Sequence, residues 1–296
     1  MGRALAEAFP VCRDTFAEAD QVLESHLSRL CFEGPDDQLQ LTENTQPAIL
    51  ALSTAVSRLL ESRTEVRAAF MAGHSLGEYS AHVAAGTITF ADALRVVRRR
   101  GRYMQEAVPV GTGAMAAILG LDAATVSRAC EEAAQGEVVS PANLNAPGQI
   151  VIAGTAAAVA RAGTRAKALG AKRVVPLPVS APFHCALMKP AEERLAPELR
   201  ALEVRDPRVP IIANVDAEPK RDHRSAIEAL IRQISSPVRW EGVVRRLASE
   251  GVRAYVEVGP GTVLAGLVKK VHRDAPVVSL ESPEGLDAID RVLTNA

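Results

Sequence analysis

The pentapeptide Gly73-His74-Ser75-Leu76-Gly77 constrains this chain more than any other stretch. Ahead of it runs an apolar segment, Val66, Ala68, Ala69, Phe70, Met71 and Ala72, that reads as a buried strand. Behind it, 78–85 is small and compatible with a helix. Strand, sharp turn and helix are the context that makes Gly-x-Ser-x-Gly a nucleophile elbow, with the serine on a strained turn and its hydroxyl exposed. The glycines two before and two after are expected to let strand and helix approach closely. The pattern is short, and a glycine-rich turn with a capping serine is the competing reading. An elbow implies alternating strands and helices, and 296 residues hold one large α/β domain, alone or with a smaller companion.

Taken in order, 1–30 has helical periodicity around a break at Pro10, and Asp36-Asp37 starts another short helix. A long helix is predicted over 48–60, with Ile49, Leu52, Val56, Leu59 and Leu60 at helical spacing and Pro47 at its first position. Thr89-Phe90-Ala91-Asp92 caps the helix after the elbow, which runs to about Ala107. Between 111 and 180 the pattern becomes strand 113–119, helix 123–134, strands 138–144 and 149–153 about a turn at Ala146-Pro147-Gly148, helix 156–169 and strand 172–179. That β-α-β-β-α-β order is the ferredoxin-like arrangement. The expected architecture is therefore a mostly parallel, three-layer α/β domain from 1–110 and 181–296, with 111–180 as an inserted subdomain. No internal repeat or long linker interrupts it.

A serine hydroxyl is a poor nucleophile at neutral pH and needs a base within hydrogen-bond reach. Six histidines are available. His74 adjoins the serine and diverges from it at a sharp turn, while His26, His223 and His272 sit among charged residues and read as solvated. His74, Glu78 and His82 share one helical face, a spacing able to hold a metal, but the turn occupies the start of that face and no metal is expected. His184 is the candidate base: it follows Pro182-Phe183 in apolar surroundings, where the subdomain rejoins the main body. A satisfied core histidine is the alternative. The acids between serine and histidine in chain order, Asp122, Glu131, Glu132 and Glu137, all fall in the subdomain, so a plain esterase triad is disfavoured. A backbone carbonyl orienting the imidazole would give a dyad instead.

The basic run Arg95 to Arg102 looks like a solvated helix face or a docking patch for an acidic partner. Plotted at about 100° per residue, it divides. Ala93, Leu94, Val97, Gly101 and Met104 form one apolar arc, and Arg95, Arg98, Arg99 and Arg102 lie opposite. Arg100 alone falls at the edge of the apolar arc, roughly 20° outside Ala93. A guanidinium at a buried margin calls for a carboxylate, from the protein as a structural salt bridge or from a ligand.

These residues sit in segments that closely resemble the bacterial malonyl-coenzyme A:acyl carrier protein transacylases of fatty acid synthesis. The segments are GHSLGEYSA (73–81), RRRGRYMQEAVP (98–109), GTGAMAAILGL (111–121), NAPGQIVIAG (145–154), PLPVSAPFHCALMKP (176–190), SSPVRW (235–240) and EVGPGTVLAGL (257–267). The resemblance runs in order along nearly the whole chain. It implies an α/β-hydrolase-like domain with a ferredoxin-like insertion. By it, Ser75 takes malonyl from coenzyme A as an ester and passes it to the phosphopantetheine thiol of acyl carrier protein. His184 serves as base and acid, and Arg100 holds the malonyl carboxylate. Gln233 orients the histidine through its backbone carbonyl, Gln46 lies in the acyl pocket, and the Leu76 N–H is one oxyanion donor. Phe183 resembles the bulky residue of malonyl-selective acyltransferases in polyketide synthases, which leaves less room for a methyl branch.

The family also begins with an apolar strand and a Pro-Gly-Gln-Gly-Ser-Gln loop, whose first glutamine supplies the second oxyanion N–H. This sequence opens inside what would be the following helix. An oxyanion donor is worth about 10²–10³ in rate, and a missing central strand exposes sheet edges. The expectation is that the true start lies upstream, the alternative being an impaired relative that only binds the carrier protein. A discrete acyltransferase of a polyketide-type pathway and a generic serine esterase are the other readings.

Composition narrows the rest. A net charge of −1 gives no basic signature for nucleic acid or membrane surfaces. No stretch approaches the ~18–20 apolar residues of a membrane span, and the opening twenty residues lack the apolar core of a secretory signal. The four cysteines are scattered, which fits reduced thiols in a cytoplasmic protein. A monomer with no permanently bound cofactor, using malonyl-CoA and acyl carrier protein, is expected.

Overall fold

A computed structural model describes residues 1–65, 67–109 and 111–294. The N-terminal part is helical: α1 (Arg3–Ala8), α2 (Pro10–Leu23), α3 (Leu27–Glu33), α4 (Asp36–Gln40) and α5 (Thr42–Arg63). The break expected at Pro10 falls at Phe9, whose φ of −130° is extended. Pro10 opens α2, where its missing N–H would have had no helical partner. The long helix differs from expectation. It starts at Thr42, and Pro47 lies inside it. One lost hydrogen bond is outweighed because α5 runs through the core, with Leu50, Ala51, Leu52, Ala55, Val56 and Leu59 fully buried.

Next come β1 (Met71–Ala72), α6 (Leu76–Ala84) and α7 (Phe90–Glu106). The strand expected over 66–72 is paired only at its last two residues. Val66 lies outside the described residues, and Arg67, Ala68 and Ala69 are exposed instead of buried. Thr89 caps α7 by accepting the Asp92 N–H at 3.1 Å. A Cβ on Gly101 of α7 would come within 2.6 Å of the Thr42 carbonyl oxygen, so that glycine lets α7 lie against the first turn of α5. This close approach brings position 100 beside position 46.

Residues 113–176 fold as β2 (Gly113–Leu119), α8 (Ala123–Ala134), β3 (Val139–Ala146), β4 (Gln149–Thr155), α9 (Ala156–Ala168) and β5 (Arg173–Pro176). The strands form one antiparallel sheet in the order β3-β4-β2-β5, with Ala117 opposite Val151 on one side and Val175 on the other. Ile118, Ile150 and Ile152 of the sheet pack on Val126 and Ala129 of α8 and Val159 and Ala162 of α9. The outer strand β3 also bonds to the main body, with Leu144 N–H to Val238 C=O and Val238 N–H to Ala142 C=O, both at 2.9 Å.

The chain then re-enters the main body through a short 3-10 turn at Ala186–Met188. It continues as α10 (Lys189–Arg200), β6 (Ile211–Ile212), β7 (Pro219–Lys220), α11 (His223–Gln233), α12 (Trp240–Ser249), β8 (Tyr255–Val258), α13 (Val263–Val271), β9 (Val277–Leu280) and α14 (Gly285–Thr294). Strand β1 pairs parallel with β6, β7 joins β6 antiparallel, and β8 pairs parallel with β9. Among the described residues these remain separate small sheets, which corrects the expectation of one mostly parallel sheet. The strands are two to four residues long, and β8 is only half-buried throughout, short of the double cover that a continuous parallel sheet needs. The protein is mixed α/β, with a mainly helical large body and a regular antiparallel sheet against it.

Candidate active site

The elbow joins β1 to α6. A Cβ on Gly73 would collide with the Gly77 backbone, so Gly73 is sterically required. Gly77 differs from expectation: a Cβ there would meet nothing within 4 Å, and only its backbone takes part in the close approach. Ser75 precedes the first residue of α6 at φ 50° and ψ −103°, a strained conformation for a residue with a side chain. Its hydroxyl makes no capping bond to the helix. Instead Oγ lies 2.7 Å from Nε2 of His184.

His184 also has positive φ, 60°, and is buried. Its Nδ1 is 2.9 Å from the backbone oxygen of Gln233, the last residue of α11. That carbonyl can only accept, so Nδ1 carries the proton and Nε2 is left as the acceptor facing the serine hydroxyl. Burial pushes the imidazole pKa down to about 3, helped by the nearby Arg100 guanidinium and opposed by the Gln233 hydrogen bond. The ring is therefore neutral at physiological pH. Asp122 caps α8, while Glu132 and Glu137 pair with Arg165 and Arg161 of α9.

Arg100 is 2 % exposed and is among the largest fully buried side chains. Its Nη1 donates to Gln46 Oε1 at 2.7 Å, and its Nη2 donates to Gln233 Oε1 at 2.9 Å and to Ser75 Oγ at 3.0 Å. The guanidinium carbon stands 5.3 Å from the centre of the Tyr79 ring. Gln46 is aimed by its own donation to Thr42 Oγ1 at 3.0 Å. Among the described residues no carboxylate makes an ion pair with Arg100, although Arg95, Arg99 and Arg102 all have acidic partners. Burial lowers the Arg100 pKa, opposed by the nearby Tyr79 hydroxyl and Glu78 carboxylate.

Leu76 opens α6, so its N–H belongs to the first turn, where amides lack intrahelical acceptors. Phe183 is half-buried beside His184 and packs against two hydrophobic clusters. Sequence reasoning missed Asn214, which follows the short strand β6. Its Oδ1 accepts the Ser75 N–H, and its Nδ2 donates to the Gly73 carbonyl, both at 2.7 Å. A polar side chain at the end of a strand adjoining the elbow strand was the available signal. Glu78 was weighed only as a metal ligand. It is fully buried and accepts from Gln233 Nε2 at 2.8 Å and from the Asn214 N–H at 2.9 Å.

The face His74, Glu78, His82 does not converge. His74 Nε2 meets Asn145 Oδ1 of β3 at 2.9 Å, and His82 is buried without a hydrogen-bond partner among the described residues. Among the described residues no group of three or more His, Cys, Asp or Glu side chains is placed to hold a metal. His272 departs from the solvated reading: it is half-buried and meets the Tyr255 hydroxyl at 3.0 Å.

A serine, an oriented neutral imidazole and a buried arginine lacking a carboxylate make a site for acyl transfer of an anionic group, and comparison with known proteins agrees. The acyl transferase domain family matches residues 1–284. The malonyl CoA-acyl carrier protein transacylase of Escherichia coli K12 is 50% identical over 284 residues, 96% of this chain and 92% of that protein. That of Bacillus subtilis 168 is 49% identical over 97% of this chain and 90% of its own length. The acyl carrier protein S-malonyltransferase of Vibrio cholerae superposes with a TM-score of 0.96 at 49% identity, over 98% of this chain and 94% of that one. A malonyl-transacylase solved in complex with its type II PKS acyl-carrier protein gives 0.96 at 47% identity, over 100% of this chain and 95% of that one. This chain belongs to the acyl transferase domain family, among the malonyl CoA-acyl carrier protein transacylases.

Proposed function

We infer that this protein transfers a malonyl group from malonyl-CoA to the phosphopantetheine thiol of acyl carrier protein, by way of an ester on Ser75. The Ser75 proton passes to His184 Nε2 as Oγ attacks the thioester carbonyl. When the tetrahedral intermediate collapses, the C–S bond breaks and the coenzyme A sulfur takes that proton from His184. In the second half the carrier-protein thiol gives its proton to His184, its sulfur attacks the seryl ester, and the C–O bond to Ser75 breaks as Oγ recovers the proton. The Leu76 N–H is one donor to the oxyanion formed in each half. The Gln233 carbonyl fixes the tautomer that lets His184 act as base and then as acid.

The observation that carries this reading is Arg100. It is buried, lacks an acidic partner among the described residues, and donates to Ser75 Oγ at 3.0 Å. A malonyl carboxylate would pair with its two terminal nitrogens, which neutral acetyl cannot do, and Gln46 and Gln233 hold the fork in place. Phe183, beside the base, restricts the room for a methyl branch on that acyl group. The proton transfers in this scheme run between Ser75, His184 and the two thiols, and none of them calls on a resident metal or cofactor.

We read the fold in finer terms as an α/β-hydrolase-like domain, 1–110 and 181–296, carrying a ferredoxin-like subdomain at 111–180. The sheet order β3-β4-β2-β5 supports the subdomain assignment. Four free, buried cysteines support a reducing cytoplasmic setting. No described helix is long and apolar enough to cross a membrane. Action as a monomer is part of the same reading.

Incubation with radiolabelled malonyl-CoA is expected to leave label on Ser75 that carrier protein then discharges. Equal loading of acetyl and malonyl would overturn the malonyl assignment. A polyketide-type carrier as acceptor is the second reading, favoured by the likeness to a malonyl-transacylase solved with such a carrier. Transfer rates to fatty-acid and polyketide carrier proteins, measured side by side, decide between them.

A further inference from the structure

Glu78 stands three residues after the nucleophile, and the transfer scheme gives it no task. Its Oε2 accepts from Gln233 Nε2 at 2.8 Å and from the Asn214 N–H at 2.9 Å, while its buried Oε1 has no hydrogen-bond partner among the described residues. Both residues it holds also grip the elbow. Asn214 Oδ1 takes the Ser75 N–H, and Gln233 Nε2 donates at 3.0 Å to the Ser75 carbonyl. Each peptide flanking the strained serine is thus tied to a residue whose other hydrogen bond ends on Glu78.

The consequence lies in the Gln233 amide. A primary amide has a donor end and an acceptor end, and it can present them either way round. Here the NH₂ end faces Glu78 Oε2 at 2.8 Å and the Ser75 carbonyl at 3.0 Å, with Asn214 Oδ1 at the limit of reach at 3.5 Å, which turns Oε1 toward Arg100 Nη2 at 2.9 Å. Reversed, the amide would set NH₂ against guanidinium N–H and Oε1 against two acceptor oxygens. The Ser75 carbonyl alone offers one hydrogen bond against that reversal; Glu78 supplies the second.

We propose that Glu78 is a positioning residue for selection of the carboxylated acyl group: it fixes the polarity of the Gln233 amide and through it the aim of Arg100. It touches neither substrate nor His184. The proposal rests on Arg100 being the carboxylate anchor. The interaction needs an acceptor oxygen and not a full charge. Burial raises the Glu78 carboxyl pKa to about 7, and a proton on the unpartnered Oε1 would leave Oε2 free to accept both bonds. Glutamine can do the same, with its oxygen at the Oε2 position and its NH₂ at the Oε1 position. Methionine fills similar space and accepts neither.

Ser75 loading from malonyl-CoA and from acetyl-CoA in wild type, Glu78→Gln and Glu78→Met tests this. In Glu78→Met the malonyl-to-acetyl ratio of kcat/KM is expected to fall about tenfold, the worth of one or two hydrogen bonds. The fall should lie mainly in the malonyl KM, and Glu78→Gln should restore the ratio. Equal losses for the two acyl groups, or a Glu78→Gln protein as unselective as Glu78→Met, would overturn the proposal. Gln233→Met reads the same route from its other end and leaves the carbonyl on His184 in place. It should lower the ratio by a similar factor even if Glu78→Met does not fold, and an unchanged ratio there also overturns the proposal. Arg100→Ala separates two kinds of failure. An unchanged preference in Arg100→Ala overturns the anchor reading and this proposal with it. A preference lost in Arg100→Ala but kept in Glu78→Met overturns the Glu78 assignment alone.

Discussion

The four-stranded sheet and the elbow solve opposite problems. In the sheet, ladders of up to seven paired residues run beside two capped helices, and aliphatic side chains fill the space between. Around the elbow the paired strands shrink to two residues, and the buried side chains are Glu78, Arg100, Asn214 and Gln233. Among the described residues, five that are not glycine have positive φ, and two of them are Ser75 and His184. Repetition and apolar burial specify the first region; polar side chains holding strained backbone specify the second. If that contrast is right, mutations should separate stability from activity along the same line.

The sharpest separation is Ser75→Ala. Transfer should fall by on the order of 10⁴-fold or more, while relief of strain and of a polar group leaves the melting temperature equal or higher. Calorimetry beside a transfer assay checks it, and a large drop in stability would break the contrast. Arg100→Met should lower malonyl loading by about 10²–10³-fold, as loss of the carboxylate's partner does. Its melting temperature should fall only modestly, because the arginine makes no ion pair among the described residues and the change orphans only the Gln46 and Gln233 side-chain oxygens. Ile152→Ala, in the core of the sheet, should act the other way. It should lose about 2–5 kcal/mol of stability by chemical denaturation with kcat within about twofold of wild type.

Smaller effects should come from titration. His74, His82 and His184 are all buried, and burial lowers all three pKa values, to about 3 for His82 and His184. As pH falls from 6.5 to 4.5 the unfolded chain takes up protons on these histidines that the folded chain refuses, so acidification destabilises. Glu78, raised to about 7, holds a proton in the folded state over the same window and offsets one of them. The net loss should be at least about 1.4 kcal/mol per pH unit, and steeper by about as much again in Glu78→Gln. Denaturant curves at pH 6.5, 5.5 and 4.5 read the slopes. Smallest is the effect of Gly77→Ala, which should change stability by no more than about 1 kcal/mol, since its Cβ has room; Gly73→Ala, whose Cβ has none, should by contrast abolish loading.

What the sequence made legible follows the same division. The elements between 113 and 176 could be read closely because apolar alternation and capping residues such as Asp122 and Thr155 are local signals. The helix plot set Arg100 apart from its neighbours, and in the structure it is buried while Arg95, Arg99 and Arg102 are not. Pro47 misled because local propensity argues for a helix start there, and core packing of α5 overrides it. Asn214 and Gln233 reach the serine from 139 and 158 residues away, through single side chains that leave no periodic trace. Glu78 was in view, but its role depends on those distant partners.

Gln233 serves the site twice, once through its backbone and once through its side chain. Its carbonyl orients the base, and its amide steadies the anchor. A codon change at this position can alter the second contact but not the chemical nature of the first, since every amino acid carries the same carbonyl. Heritable variation can therefore explore new acyl groups at this residue while the histidine's tautomer is passed on unchanged.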